Sequence, residues 1–224
     1  MPAKDVLADD NFGQGFLVQD SKGVRIYASN ANSNGADGID LKRTTGSFIT
    51  DSTADFNEGS GILLKRSNSN VIDDTDGFDN FPGGGIVGVG LWLNASSFNS
   101  VDSGSFGSNS KSGIYIGCNP GGVVSGTSCG SLGLPPSDGN SIVDATATFN
   151  SVDGIGIDAG NGLNSIVDNS AFSNAAFKSL HDGNLGCGSN IWAVNDFAPG
   201  TITPPAGGPP NGCINRSSAG SPGA

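Results

Sequence analysis

Residues 34–56 read NGADGIDLKRTTGSFITDSTADF, and residues 57–79 read NEGSGILLKRSNSNVIDDTDGFD. The two segments align without a gap at a step of 23 residues. The step also reaches back one unit, because Gly15, Gly38 and Gly61 share it, as do Phe16, Ile39 and Ile62; Val18, Leu41 and Leu64; and Ile26, Ile49 and Ile72. A fixed period in the twenties marks a solenoid, in which each unit buries its apolar face only against its neighbours. Within a unit the apolar residues alternate over short runs, as in Ile39-x-Leu41. Period-two runs of three to five residues are strands, not helices. A leucine-rich repeat would need an L-x-x-L-x-L framework, and the unit has none.

Later units keep the pattern with insertions, through expected anchors at Gly85-Ile86, Gly113-Ile114, Gly154-Ile155 and Ala176-Phe177. A third apolar position, at Phe56, Phe78, Phe149 or Phe172, predicts three short strands per coil. Gly and Asn at the corners suit sharp, left-handed turns. Each strand then pairs in parallel with its equivalent one coil later, about 4.8 Å away, so Ile39 is expected on Phe16 and beneath Ile62.

The G-I-x-[LI] strands, the Asn70–Asp73 and Asn164–Asp168 strands and the F-x-N corner at Phe172–Asn174 resemble the right-handed parallel β-helix proteins of the pectin-lyase-like superfamily. The resemblance covers Asn11 to Phe197. It implies an all-β fold, a single right-handed parallel β-helix solenoid with coils of about 23 residues. It leaves function open among polysaccharide lyases, polygalacturonase-type hydrolases, uronate epimerases, tailspikes and adhesins, since fold does not fix function.

The expected boundaries are an N-terminal extension at residues 1–10, the β-helix at 11–197 with an insertion at 118–139, and a Pro-, Gly- and Ser-rich flap and disordered tail at 198–224. No amphipathic capping helix precedes Gly15, and MPAKDVLADD has no secretory apolar core, so the natural protein is expected to extend upstream. Ten basic against 21 acidic residues give a net charge of −11. Such acidity repels phosphate backbones and anionic membrane surfaces, which argues against nucleic acid and lipid as partners. No apolar run is long enough to span a bilayer. Cys118, Cys129, Cys187 and Cys213 lack paired zinc spacing. Local bridges Cys118–Cys129 and Cys187–Cys213 fit best and would mean an oxidising, extracellular or cell-surface location.

Lys42, Arg43, Lys65 and Arg66 are four of only ten basic residues, and the register stacks them two by two. Asp20 stands below Arg43, while the next coil is expected to bring Val89 and Gly90 above Lys65 and Arg66. Like charges one strand step apart repel, and a bound anion would relieve them. The four are therefore the candidate anion-binding or catalytic row for an acidic polysaccharide. In lyases of the resembling superfamily, a basic side chain abstracts a proton and a neighbouring Arg neutralises the uronate; Lys42 or Lys65 and Arg43 or Arg66 would hold those roles. Asp51, Asp73, Asp74, Asp76 and Asp79 crowd one corner and are a candidate Ca²⁺ site. Asp37, Asp40, Asp153, Asp158 and Asp182 sit near strand ends, but the register does not pair them as a hydrolase requires. His181, the only histidine, is read as a loop or packing residue; Trp92 and Trp192 could stack on sugars or be buried. The competing function is a non-catalytic structural or adhesive module of a larger surface protein.

Overall fold

The structure is a computed structural model that describes residues 2–81, 88–118, 128–174, 179–184, 187–197, 202–203 and 214–216. Two parallel sheets run the length of the stack. The front sheet has eight strands, Phe16–Gln19, Ile39–Lys42, Ile62–Lys65, Leu91–Asn94, Ile114–Ile116, Ile155–Ile157, Leu180–Asp182 and Ile202–Thr203, each bonded to its neighbours in that order. The back sheet has ten, from Ala3–Lys4 through Arg25–Tyr27, Phe48–Thr50 and Val71–Asp73 to Ile191–Phe197 and Ile214–Arg216. Ile39 pairs with Phe16 below and Ile62 above, as the repeat requires. Inward residues of both sheets, among them Ile39, Leu41, Ile62, Leu64, Ile49 and Ile72, are at most 1% exposed and form one continuous core.

The third side of the coil is carried mainly by isolated bridges, Leu7 to Asn30 to Thr53 to Asp76, and Ser105 to Thr146 to Ser170. Those positions are mostly short polar residues, which leave little apolar surface for a third strand to bury. Phe56 and Phe149, expected in that strand, instead occupy left-handed corners at φ 58° and are 58% and 65% exposed. The Asn that follows each of them is drawn inward and sets the corner.

Asn11, Asn34, Asn57, Asn80, Asn109, Asn150 and Asn174 form a ladder up this edge. From Asn34 onward each Oδ1 accepts two bonds from the Asn one coil earlier; Asn57 Oδ1 takes Asn34 N–H at 2.9 Å and Nδ2–H at 3.0 Å. The same pattern recurs at every step to Asn174. The repeated Gly38 is needed for closeness and not for handedness: its φ is not positive, and a Cβ there would lie 2.6 Å from Asn57 Nδ2 and 2.8 Å from two carbonyl oxygens.

Three boundaries differ from expectation. The register continues through Gly90-Leu91 and Ser179-Leu180, whereas the expected anchors Gly85-Ile86 and Ala176-Phe177 lie outside the described residues. Counting Gly-apolar pairs cannot say on which side of an anchor an insertion falls. Ala3–Lys4 already pairs with Arg25–Tyr27, so the stack begins inside the expected N-terminal extension. Two short segments of the expected tail, Ile202–Thr203 and Ile214–Arg216, also rejoin the sheets.

Candidate functional site

A five-residue turn links each of the first four front strands to the back strand of the same coil, as at Arg66–Asn70. Its first residue is left-handed in three successive coils, Asp20 at φ 51° and Arg43 and Arg66 at φ 52°, so these side chains leave the same corner in the same direction. Lys42 and Lys65 pair in register as the outward residues immediately before that corner. All four basic residues line one surface cleft. Sequence spacing therefore brings together the row it named.

The charges are not balanced evenly. Arg43 donates two bonds to Asp20, from Nη2 at 2.7 Å and from Nε. The guanidinium, with help from Gln19, holds the Asp20 carboxyl down at about 2. Lys42 Nζ lies 2.8 Å from Asp40 Oδ2, an ion pair by distance without hydrogen-bond alignment. Strand alternation puts Asp40 and Lys42 on one face, a relation missed by comparing only coil with coil. Lys65 and Arg66 are exposed and have no ion-pair partner among the described residues. The residues above them are Asn94 and Ala95, not Val89 and Gly90, because the insertion precedes the next front strand.

Asp37 borders this group. Burial pushes its carboxyl up to about 6; the Ser60 N–H it accepts at 2.7 Å opposes the rise, Asp40 adds to it and Lys42 reduces it. Asp37 and Asp40 thus interact within one coil, although neither has an acid above it.

Farther along, the outward row of the front sheet runs Asp40, Leu63, Trp92, Tyr115, Gly156, His181. Outward positions on a sheet are ordinarily wet. Here Asp40, Leu63, Trp92, Tyr115 and His181 are all buried, and Val89 packs on Leu63, Trp92 and Tyr115. His181 Nδ1 is 3.3 Å from Asp153 Oδ1, with His181 6% and Asp153 0% exposed. Gly156 makes that pairing fit, since a Cβ there would meet Asp153 Oδ2 at 2.9 Å. The sequence names Asp153 near a strand end and His181 as a loop or packing residue without pairing the two; a Gly between an aromatic and a His at one register position was the available signal.

Two further acids are placed by packing. Asp158 lies against Gly117. Asp182 points inward at the position of Ile157, accepting from Trp192 Nε1 at 2.8 Å and Asn190 Nδ2 at 3.0 Å. Both tryptophans are buried with their indole N–H satisfied, Trp92 by Gly117 O at 2.7 Å, so neither offers a face to a sugar.

The family described as the right handed beta helix region matches residues 4–130, more than half of the chain. The chain belongs to the right-handed β-helix family. Among solved structures, this β-helix is similar to the A-modules of two Azotobacter vinelandii mannuronan C-5 epimerases. AlgE6 matches with a TM-score of 0.61 and 14% identity over 87% of this chain and 57% of that one. AlgE4 matches with 0.60 and 14% over 88% and 58%. At that identity the likeness is one of fold, and the chain spans less than three fifths of the length of either module. No curated protein matches the chain.

The five acids expected to hold calcium do not converge in this β-helix. Asp51 and Asp74 share the left-handed corner leaving the back sheet, and Asp73 ends the strand beside them. Asp76 sits on the third side and accepts Ser105 N–H at 2.7 Å, while Asp79 occupies the next corner. No group of three or more His, Cys, Asp or Glu placed to bind a metal exists among the described residues. This acidic corner and the basic cleft stand on different edges of the coil, so they form no common groove.

Cys118 and Cys129 are bridged, with Cα atoms 5.1 Å apart. The bridge and Leu134 pack on Ala95, anchoring the insertion to the turn edge. Cys187 is also disulfide-bonded; its expected partner Cys213 lies outside the described residues. Among the described residues no helix is long and apolar enough to cross a membrane.

Proposed function

We propose that this chain binds an acidic polysaccharide, with the Lys42, Arg43, Lys65 and Arg66 cleft as its carboxylate-binding row. The observation that carries the reading is the inequality within the cleft. Arg43 already grips a carboxylate of its own chain, Asp20, in a two-bond fork. Arg66 leaves the equivalent corner with the same backbone geometry, but the residue below it is Arg43 and not an acid. A carboxylate from outside would supply to Arg66 what Asp20 supplies to Arg43, and Lys65 adds a second cation beside it. The fold likeness to two mannuronan epimerase modules supports a polysaccharide partner, and the Cys118–Cys129 bridge supports maturation in an oxidising compartment outside the cytoplasm.

Binding is the favoured role, ahead of chemistry. The imidazole of His181, the phenol of Tyr115 and the carboxyl of Asp153 are all buried. The exposed base that remains is Lys65, with Arg66 beside it to stabilise an enolate-like intermediate in a lyase- or epimerase-like reaction. The test is binding of polygalacturonate or alginate at several ionic strengths. The unmodified protein should bind at low salt and release as salt rises, and Lys65→Ala with Arg66→Ala should remove most of that salt-dependent affinity. No binding at low salt by any acidic glycan would refute the reading. Binding without a rise in ultraviolet absorbance from unsaturated sugars, and without epimerised product, would leave a binding module.

A further inference from the structure

The next-to-last turn position before the back strand is also left-handed in six successive coils, and in the first three of them it is small: Gly23 at φ 67°, Gly46 at φ 61° and Ser69 at φ 55°. In the next three coils it becomes Phe98, Gly139 and Leu163, at φ 58°, 67° and 58°. Bulky side chains disfavour that backbone by about 1 kcal/mol or more each. Phe98 and Leu163 also remain 65% and 66% exposed, so burial returns little of that cost. Gly139 lets the two belong to one surface: a Cβ there would strike the Phe98 ring at 2.7 and 2.8 Å, so the ring lies across the glycine toward Leu163. The result is a flat apolar strip two coil steps long, about 10 Å.

A groove opens beside the strip, lined by Leu163, Asp138, Asn184, Ser189 and the Gly160–Gly162 backbone. Asp138 and Ser189 are each held there by one side-chain bond and keep capacity to spare, while Asn184 is fixed more firmly, its Nδ2 donating to Asn161 O and Asp182 Oδ1 at 2.9 Å each. Asp138 Oδ1 accepts Gly162 N–H at 2.6 Å, Asn184 Oδ1 accepts Gly160 N–H at 2.8 Å, and Ser189 Oγ accepts Leu163 N–H at 2.9 Å, leaving its hydroxyl hydrogen to give. The disulfide-anchored insertion walls this edge, with Ser128 against Gly160 and Pro136 O bonded to Ser97 Oγ at 3.1 Å. An apolar plate next to a row of hydroxyl-binding groups, with a carboxylate and no cation, fits the hydroxyl-bearing face of a pyranose ring. It does not fit a second anionic group. Phe56 and Phe149, also exposed at left-handed corners, are separated by Asp79 and Ser108 at the equivalent positions and make no such plate.

We propose that Phe98, Gly139 and Leu163, with the adjoining groove, form a sugar-stacking subsite on the same turn edge as the basic cleft. A single polysaccharide chain then runs parallel to the solenoid axis, its carboxylate at Lys65 and Arg66 and a later ring on Phe98. This rests on the cleft reading for the chain's direction and charge. The Phe98 ring lies over Gly139, two coils above Arg66, and Leu163 stands three coils above it, about 10 and 14 Å along the axis, so a dimer held at Arg66 does not cover the strip and a tetramer does.

The test is titration calorimetry with oligogalacturonates from dimer to hexamer, on the unmodified protein, Phe98→Gly, and Lys65→Ala with Arg66→Ala. Phe98→Gly suits the left-handed corner, so the fold is retained, which a thermal melt verifies. Affinity of the unmodified protein should rise between dimer and tetramer. Phe98→Gly should abolish that rise, a loss of roughly 5- to 10-fold for the hexamer, while leaving dimer affinity and salt dependence intact. Undiminished hexamer affinity in Phe98→Gly overturns the subsite. Unchanged salt dependence in the double variant overturns the cleft alone, and absence of binding by every oligomer overturns both.

Discussion

Replacing Asp37 with Asn should stabilise this protein at neutral pH. Burial raises the Asp37 carboxyl from 3.8 to about 6, with neighbouring Asp40 adding to the rise. A carboxyl raised on folding binds its proton more tightly in the native state than in the unfolded chain, so the group favours folding most below about pH 4. That contribution is lost as pH rises through 6. Two pKa units at 1.36 kcal/mol each put the penalty carried by ionised Asp37 at roughly 3 kcal/mol; partial solvent access brings the expected gain to about 1–3 kcal/mol. Asn keeps the one bond that matters to the backbone, because its Oδ1 can still accept the Ser60 N–H held at 2.7 Å. Urea unfolding of both proteins should therefore show the variant more stable at pH 8, a difference shrinking through pH 6 and absent near pH 4. Equal stability at pH 8, or a difference that does not vary with pH, would refute the assignment of Asp37 as a half-buried acid under electrostatic strain.

Ile62→Asp should abolish folding, because Ile62 is 0% exposed in the centre of the stack and an unpaired carboxylate there costs several kcal/mol beyond the lost apolar burial; a collapsed far-ultraviolet dichroism signal checks it. Asn57→Ala should cost about 2–5 kcal/mol, since it strips the acceptor from both the N–H and the Nδ2–H of buried Asn34; denaturant titration reads the loss, and an unchanged midpoint would mean that the ladder contributes nothing. Non-reducing peptide mapping should recover one linked pair containing Cys118 and Cys129; four freely alkylated thiols would remove the argument for an oxidising compartment.

How far the fold and the site could be read in advance followed from which interactions repeat. Between Gly15 and Asn80 the period is unbroken, and every inward residue there meets its own equivalent, so Ile39 on Phe16 and Lys65 on Lys42 follow from spacing alone. Insertions break that inference, because a six-residue excess can be lodged before or after an anchor without changing the composition of either coil. That ambiguity misplaced the neighbours of Lys65 and Arg66. The Asp40–Lys42 pair was legible by another route, the alternation within one strand, and shows that both directions of a solenoid must be searched for partners.

What the sequence could not show is the burial of an outward face. His181, Asp153 and Tyr115 lie on the outside of the front sheet and would be solvent-exposed in a bare coil, yet each is buried. Val89 packs on Tyr115 and Asp153 meets His181, contacts between different register positions that no single periodicity reports. The same distinction separates the two surfaces proposed for the polysaccharide. Regular stacking builds the basic cleft, which is why four charges could be named from spacing. The Phe98 strip arises where the stacking is irregular: a bulky residue stands at a corner that favours glycine, and the neighbouring coil supplies the glycine over which its ring lies. In a solenoid, departures of this kind separate residues that carry recognition from residues that merely continue the stack. Phe98→Gly tests that argument directly, since it restores the repeat at a corner where regularity is proposed to cost binding and to favour folding.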